Sequence, residues 1–554
     1  MPTLSPQLLR SRIGKVCVAI TGKTTAEVLE KAASTVKENT FFEVRLDYLD
    51  KPLLALDALK TFLASNPNTT AIATCRRTAS GGKFAGTVTD EFNILCKAAL
   101  SSFHLIDLPL ESAEELKPAS MDKLRDTGVS IIISHHDFAV TKDLDGIYDR
   151  IHRLSPDFIK IVPTAKTLAD NLTLLHFLER KNESSNIIGI CMGESGTISR
   201  VLGVRAGSAF TFAAATVGEE TAPGQMSART LTDIYRIDEL DAATKVYGVA
   251  GNPVRHSLSP LMLNTAFRRE TLNSVYLALQ TTKLNDLLKL VHEIPIQGVS
   301  ITMPFKQDIL PYLERTDPLS AKIGACNTLL RAQDGKLYGF NTDVMGIIGP
   351  LERRLKLEGR RVLVLGAGGA ARAAVFGLRD KGAEVSILNR TPENAQKLAR
   401  QSHSKAIKRE AVAKTHFDVI INATPVGMTG HKGAPLLEAG DLNTSLVFDL
   451  VYTPMETPLL RMARQRNIPV ITGVEMFVQQ GARQFEIWTG KPAPEEEMLR
   501  VVLHALKQQD NFGGTRNGSN EVVEEPAPEK KATAAERPPA IKKTSAIKTS
   551  KGSH

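Results

Sequence analysis

Eight short apolar runs alternate with helical stretches across residues 1–240, and a glycine-rich turn joins an apolar strand to a helix near residue 366. The first observation predicts an N-terminal (β/α)8 TIM barrel, the second a Rossmann dinucleotide-binding domain, so the fold class is α/β. An αβ domain is expected over 246–343 and the Rossmann domain over 344–475. Helices over 476–508 are expected to return to the αβ domain, and 509–554 to form a disordered basic tail. A length of 554 residues is too great for one ordinary core and fits this division.

The barrel strands read, in order, VCVAIT, FFEVRLD, TAIATCR, FHLIDL, VSIIISHHD, FIKIV, NIIGICMG and SAFTFAAA. Such barrels place their chemistry at the C-terminal ends of the strands. Those ends carry Glu43, Arg45, Asp47, Arg76, Asp107, His135, His136, Lys160 and Met192. Charged groups converging on one mouth from different strands are hard to explain as packing. Lys160 stands inside the apolar run of FIKIV. Such a lysine either packs its stem while the ammonium snorkels to water, or is a desolvated amine of lowered pKa, nucleophilic toward carbonyl carbon. A neutral lysine facing arginines suits a substrate that has both a ketone and a carboxylate. The imine it forms, once protonated, acts as an electron sink, so that an adjacent carbon loses its proton and a β-hydroxyl can leave. Imidazole titrates near neutral pH and is the natural acid/base. Strand alternation says only that His135 and His136 point opposite ways.

Past IDELDAATK a second region begins with VYGVAGNPVRHSLSP and runs through αβ units to QGVSITMPFK and GACNTLLRAQDGKLYGFNTD, where QDG between apolar runs reads as a hairpin turn. The third region, RRVLVLGAGGAARAAVFGLRDKGAEVSILNRT, reads strand, turn, helix, strand. Gly366, Gly368 and Ala371 follow VLVL and open the helix, which allows pyrophosphate to approach the backbone at a helix N-terminus. The next strand ends in LNRT, where an NAD enzyme usually presents an acid to the ribose. Asn389 removes that repulsion and Arg390 can grip a 2′-phosphate, so the expected cofactor is NADP. The segments EMFVQQGARQFEIWTG and PEEEMLRVVLHALKQQ close the globular part near 508.

A composition of 42% hydrophobic and 23% charged residues is that of a soluble globular protein, and no apolar run is long enough to span a bilayer. The N-terminus lacks the apolar core of a secretory signal, which together with five scattered cysteines predicts a reducing, cytoplasmic location with neither disulfides nor a metal site. The net charge of +9 raises the possibility of nucleic-acid binding, but the clearest basic cluster lies in the tail, and no recognition helix, stacking aromatics or zinc spacing accompanies it. Small-molecule partners are expected.

With these motifs in view, the barrel resembles the type I 3-dehydroquinate dehydratases, through FFEVRLD, TCRR, the Gly-Gly pair of TASGG, ISHHDF, FIKIV, MGESGTISR and TAPGQ. The resemblance implies that Lys160 is the Schiff-base lysine and that His136, rather than His135, is the general acid/base. It implies that Glu43, Arg45, Arg76, Arg200, Thr221 and Gln225 hold the substrate's hydroxyls and carboxylate, with Met192 lining the pocket. Ser80 stands where the family usually has Glu, removing a carboxylate that would tune the histidine and lysine. Thr221 stands where the family usually has Ser, keeping the hydroxyl. A barrel that binds ligand without turning it over is the rival reading.

From about Val246 to Leu506 the chain resembles the shikimate dehydrogenases, through GNPVRHSLSP, ITMPFK, GACNTL, GFNTD, GAGGAARA, NRT, NATPVGM, YTPMETPLL and GVEMFVQQGA. This implies a two-domain unit of that family, with Lys306 and Asp343 as the catalytic pair. Ser257, Ser259, Thr302, Asn327, Asn341 and Gln480 would hold the substrate, with Tyr452 nearby. Gly366, Ala367, Gly368, Gly369, Ala370, Asn389, Arg390, Thr391, Thr424 and Met428 would contact NADP, and Gly473 and Met476 would border the nicotinamide. Together the two resemblances imply a chain similar to the fused enzyme of plants and some bacteria. It would dehydrate 3-dehydroquinate to 3-dehydroshikimate and reduce that ketone to shikimate. A quinate dehydrogenase activity is the alternative. Relatives that accept quinate tend to change Ser259 and Thr302, and both are present here.

Overall fold

The structure, a computed structural model, describes residues 9, 12–181, 186–431 and 433–514, with side chains through 509. The first eight strands are β1 (Val16–Ile20), β2 (Phe41–Arg45), β3 (Thr70–Thr74), β4 (Leu105–Pro109), β5 (Ser130–His136), β6 (Phe158–Val162), β7 (Ile187–Gly189) and β8 (Thr211–Ala214). They pair in parallel in chain order, and β8 returns to lie beside β1. The ring meets between β7 and β8 where Ala209 N donates to Ile187 O at 2.8 Å and Gly189 N to Ser208 Oγ at 3.1 Å.

The period-2 alternation of side chains sorts the barrel interior into layers. The floor is apolar: Phe41, Ile72, Leu105, Ile132 and Phe158 pack with Leu9, Phe210 and Phe212 in one buried cluster. Two residues on, the same strands present Glu43, Thr74, Asp107, Ser134 and Lys160, all buried. Two further on come Arg45, Arg76 and His136. His136 therefore shares the inward parity of Ile132 and Ser134, and His135 faces the other way.

The second region forms a six-stranded sheet from β9 (Lys245–Gly251), β10 (Ser274–Gln280), β11 (Ile296–Ile301), β12 (Arg315–Thr316), β13 (Thr328–Arg331) and β14 (Leu337–Phe340), ordered β10-β9-β11-β13-β14-β12. Strands β13 and β14 are the antiparallel hairpin expected around QDG. The third sheet comprises β15 (Arg361–Leu365), β16 (Glu384–Leu388), β17 (Lys405–Ala406), β18 (Val419–Asn422), β19 (Val447–Asp449) and β20 (Val470–Ile471). Its order, β17-β16-β15-β18-β19-β20, is parallel throughout and is the Rossmann order.

The helix Gly473–Thr489 packs on the helix Asp343–Glu352 and ties the second and third regions together. It begins at Gly473, where the chain leaves an extended Thr472, so the boundary expected after residue 475 falls inside a helix. The final helix runs Glu495–Gly514, into the segment expected to be a disordered tail, and the rest of that tail lies outside the described residues. One buried apolar cluster includes Leu168, Leu172 and Leu240 of the barrel together with Leu287, Leu290 and Val291 of the second region. Among the described residues no helix is long and apolar enough to cross a membrane.

Candidate active sites

In the barrel the buried Lys160 donates from Nζ to Asp107 Oδ2 at 2.7 Å, lies 4.0 Å from Glu43 Oε1, and sits 3.8 Å from the centre of the Phe212 ring. Arginines alone are expected to face this lysine; it also has a fully buried carboxylate partner. Burial alone would raise the Asp107 pKa, but the charges of Lys160 and Arg76 and the hydrogen bonds from Lys160 and Ser134 bring it below the usual carboxylate value. Ser134 Oγ donates to Asp107 Oδ1 at 2.5 Å, and Arg76 Nη2 reaches both carboxylate oxygens at 3.2 and 3.4 Å. Glu43 accepts from Thr74 Oγ1 at 2.6 Å.

Arg76 Nη1 lies 2.9 Å from His136 Nε2. A guanidinium has no acceptor, so Nε2 must be the acceptor and the neutral ring carries its proton on Nδ1. Burial, followed by the charges of Arg76 and Lys160, holds the His136 pKa well below the ordinary value. The imidazole is thus a free base at neutral pH. His135 instead bonds Glu111 through Nδ1 at 2.7 Å. The exposed Phe138 ring stacks 6.2 Å from His136, near the turn Thr78–Ser80. At Gly81, which closes that turn with φ +80°, a Cβ would fall 2.1 Å from the Phe138 ring.

Arg45 forms a bidentate pair with Asp47 at 2.9 and 2.8 Å, and its guanidinium stacks 4.9 Å from the Tyr48 ring. Arg200 differs. It is buried, its guanidinium donates to the carbonyls of Gly224 and Phe212 at 2.8 and 3.1 Å, and burial lowers its pKa to about 10. Among the described residues it has no carboxylate partner, which is the state of a cation suited to receive an anionic ligand. Thr221 donates to Gln225 Oε1 from N at 2.7 Å and from Oγ1 at 3.1 Å, and Met192, after β7, is buried. Glu194, in the turn after β7, forms an ion pair with Arg255 of the second region.

In that region Lys306 Nζ is ion-paired with Asp343 Oδ2. Asp343 opens the helix Asp343–Glu352, where the helix dipole favours a carboxylate, and it accepts from Asn327 Nδ2 at 2.8 Å. Asn327 Oδ1 in turn accepts from Thr342 N at 2.8 Å. Asn341 donates to Ala325 O at 2.8 Å, while its buried Oδ1 has no partner among the described residues. Ser257 Oγ donates to Ser259 Oγ at 3.1 Å, and Tyr452 stacks on Phe477 at 4.3 Å. Thr302 is half-buried at the end of β11, and Gln480 bonds Phe477 O at 2.9 Å.

The Rossmann turn meets this cluster. A Cβ on Gly369 would lie 2.9 Å from Lys306 Cδ, so the start of the cofactor helix touches the stem of the lysine. Gly366 has φ +113°, and Gly368 caps the helix without a side chain, leaving its first N–H groups for an anion. Ala367 and Ala370 lie in the same turn. Asn389, half-buried, donates to Thr391 O at 2.9 Å, and Arg390 is exposed beside it. Thr424 is held by Asn422 Oδ1, which accepts from its N at 3.1 Å and its Oγ1 at 2.6 Å. Asn422 is itself anchored to the buried Asp449 at 2.8 Å, whose pKa burial pushes up to about 6. Met428 follows on this loop, its N donating to Pro425 O at 3.1 Å. Gly473 packs so closely under Leu450 and Val451 that a Cβ would fall 2.4 Å from Val451 O, and Met476 stands one turn further on. These residues fit a bound dinucleotide phosphate.

Sequence reading assigned no role to Asp107, and it passed over Ser134, Thr74, Phe212, Asn422 and Asp449. For Asp107 and Ser134 a signal was present, since each sits two residues past an apolar inward residue of its strand.

Residues 16–242 match the family model described as type I 3-dehydroquinase. Residues 249–329 match the shikimate dehydrogenase substrate binding domain, 351–436 shikimate / quinate 5-dehydrogenase, and 473–503 the shikimate 5′-dehydrogenase C-terminal domain. The chain is 36% identical over 482 residues to the chloroplastic bifunctional 3-dehydroquinate dehydratase/shikimate dehydrogenase of Arabidopsis thaliana, covering 83% of this chain and 79% of that one. It is 38% identical over 273 residues to the shikimate dehydrogenase (NADP(+)) of Pyrococcus furiosus, covering 49% of this chain and 99% of that one. The solved dehydroquinate dehydratase and shikimate dehydrogenase from S. pombe AroM aligns at 23% identity with a TM-score of 0.41, over 90% of this chain and 100% of that one.

Proposed function

The chain belongs to the bifunctional 3-dehydroquinate dehydratase/shikimate dehydrogenase family, and from that premise we propose how its side chains carry the two reactions. The protein dehydrates 3-dehydroquinate to 3-dehydroshikimate through a lysine Schiff base and reduces the product to shikimate with NADPH. One observation carries the residue assignment: each half holds a buried or half-buried lysine–aspartate pair at its mouth, surrounded by groups suited to a hydroxylated ring acid.

In the barrel, Lys160 Nζ attacks the ketone. His136, a neutral base whose Nε2 gives up its bond from Arg76 to act, takes the proton from the carbon beside the imine and returns it to the departing hydroxyl. Arg200, with Thr221 and Gln225, binds the carboxylate, while Glu43 and Arg45 bind ring hydroxyls. Bound NADPH supplies the hydride in the second reaction. Lys306 gives its proton to the alkoxide forming at the ketone carbon, and Asp343 keeps the ammonium in place. Ser257, Ser259, Thr302, Asn327, Asn341 and Gln480 orient the ring, with Tyr452 beside them. The uncapped turn at Gly368 takes the pyrophosphate, and Arg390, with Asn389 and Thr391, takes the 2′-phosphate. Thr424 and Met428 would contact the cofactor, and Gly473 and Met476 would border its nicotinamide.

Two experiments test this. Dehydroquinate supplied with NADPH should yield shikimate and NADP. Borohydride added with dehydroquinate should fix the ligand's mass on the peptide containing Lys160, and labelling elsewhere would sink the assignment.

A further inference from the structure

We propose that Asp107 is a catalytic residue of the dehydratase: it receives the Lys160 proton as the nitrogen attacks the ketone, then serves as counter-ion to the protonated imine. The proposal rests on Lys160 being the imine-forming lysine.

The geometry favours Asp107 over every other group near Nζ. Its Oδ2 is 2.7 Å away, whereas the next carboxylate oxygen, on Glu43, is 4.0 Å away and already accepts from Thr74. Asp107 is fully buried on β4, and its position is fixed from two other directions by Ser134 and Arg76. The charged and titratable groups facing it are Lys160 on β6, Arg76 after β3, Glu43 on β2 and Cys17 on β1, with His136 beyond Arg76.

The chemistry requires such a group. An ammonium is not a nucleophile, so the ion-paired lysine must lose a proton before it can attack. Water has little access to this layer of the barrel, and the hydrogen-bonded carboxylate is the acceptor in place. The nitrogen lone pair then forms the C–N bond, and the carbonyl oxygen becomes a hydroxyl. This oxygen leaves as water when the C=N bond forms. In sum, ammonium plus ketone gives iminium plus water, so Asp107 holds the proton only in transit and ends as the carboxylate. The iminium nitrogen then occupies the place of the ammonium. A carboxylate there keeps it protonated, which is the form able to accept electrons when the neighbouring carbon is deprotonated. An opposite charge this close shifts such an equilibrium by about 1–3 pH units, or about 10- to 1000-fold in the protonated fraction.

The test is Asp107→Asn in the full chain, assayed with dehydroquinate from pH 6 to 9. We expect kcat to fall about a hundredfold at pH 7.5 and the deficit to narrow toward pH 6, where the unpaired iminium regains its proton. KM should change little, Asp107→Glu should restore part of the rate, and dehydroshikimate reduction by the same protein should match wild type. An Asp107→Asn enzyme with wild-type kcat, or with a deficit equal at every pH, overturns the proposal. Should Asp107→Asn not fold, Ser134→Ala removes one hydrogen bond from the carboxylate and strengthens it as a counter-ion. Its kcat profile should then move to higher pH, and an unmoved profile overturns the proposal. Borohydride trapping of the wild-type protein separates the two ideas. No adduct on Lys160 removes the underlying assignment as well, whereas an adduct there with an unmoved Asp107→Asn profile removes the Asp107 proposal alone.

Discussion

Replacing Lys306 with alanine removes the proton donor of the second reaction while leaving its setting largely intact. Asp343 would lose one partner but keep the 2.8 Å bond from Asn327 and its place at a helix N-terminus. The structural cost is therefore that of one impaired buried carboxylate, about 1–3 kcal/mol, in a domain with its own apolar core around Tyr247, Phe267 and Trp488. The catalytic cost is larger. Loss of a positioned general acid lowers rates about 10²- to 10⁴-fold. Because the ammonium acts mainly as negative charge develops on the oxygen, the loss should fall on kcat and leave KM for dehydroshikimate within a few-fold. The barrel has a separate lysine and a separate histidine. In the assay, Lys306→Ala is given dehydroquinate and NADPH, and ketone, dehydroshikimate and NADPH are followed together. Dehydroquinate should disappear at close to the normal rate, NADPH should persist, and dehydroshikimate should accumulate. A folded Lys306→Ala protein that oxidises NADPH with dehydroshikimate at near the wild-type rate would refute the assignment, because the proton would then come from elsewhere.

Arg390→Ala should weaken NADPH binding about 10- to 100-fold, as loss of a charge-assisted contact of about 1.5–3 kcal/mol requires, while NADH kinetics barely move; an unchanged preference would exclude Arg390 as the phosphate reader. Gly369→Ala puts a methyl group 2.9 Å from Lys306 Cδ, so dehydrogenase turnover should drop while dehydratase turnover holds, as paired assays would report. His136 gives a pH signature. Its folded pKa lies below the unfolded value near 6.5, so the unfolded chain binds the extra proton first and stability falls as pH drops below about 6.5, by up to about 1.4 kcal/mol per pH unit. Denaturant titrations of wild type and His136→Gln should diverge in that direction below pH 6.5 and run parallel above it.

The elements that could be read in the sequence are those specified by short-range pattern. FIKIV announces a strand with a lysine in it, QDG a hairpin, and VLVLGAGGAARA a cofactor turn, because each depends on residues adjacent along the chain. The inward parity of Asp107 is legible in its strand, but its pairing with Lys160 is not, for it lies 53 positions earlier and meets the lysine only when β4, β5 and β6 align. The choice between His135 and His136 likewise needed the strand's inward parity, which is set by the floor residue Ile132 and not by the histidines. The need for glycine at 473 is hidden for a related reason: the backbone carbonyls of Leu450 and Val451 lie against it, a contact between distant segments.

Two enzymes joined by a buried apolar seam also share one lifetime. The helix Leu284–Glu293 of the substrate domain lies against the barrel turn Leu168–Asp170, and side chains from both walls belong to a single buried cluster. Unfolding either wall uncovers the other. A substitution at Lys160 or Lys306 silences one reaction, whereas a lesion in this seam should extinguish both, and proteolysis that follows opening would clear them together. Producer and consumer of dehydroshikimate are thereby held at one to one, a ratio that unequal synthesis or decay cannot disturb.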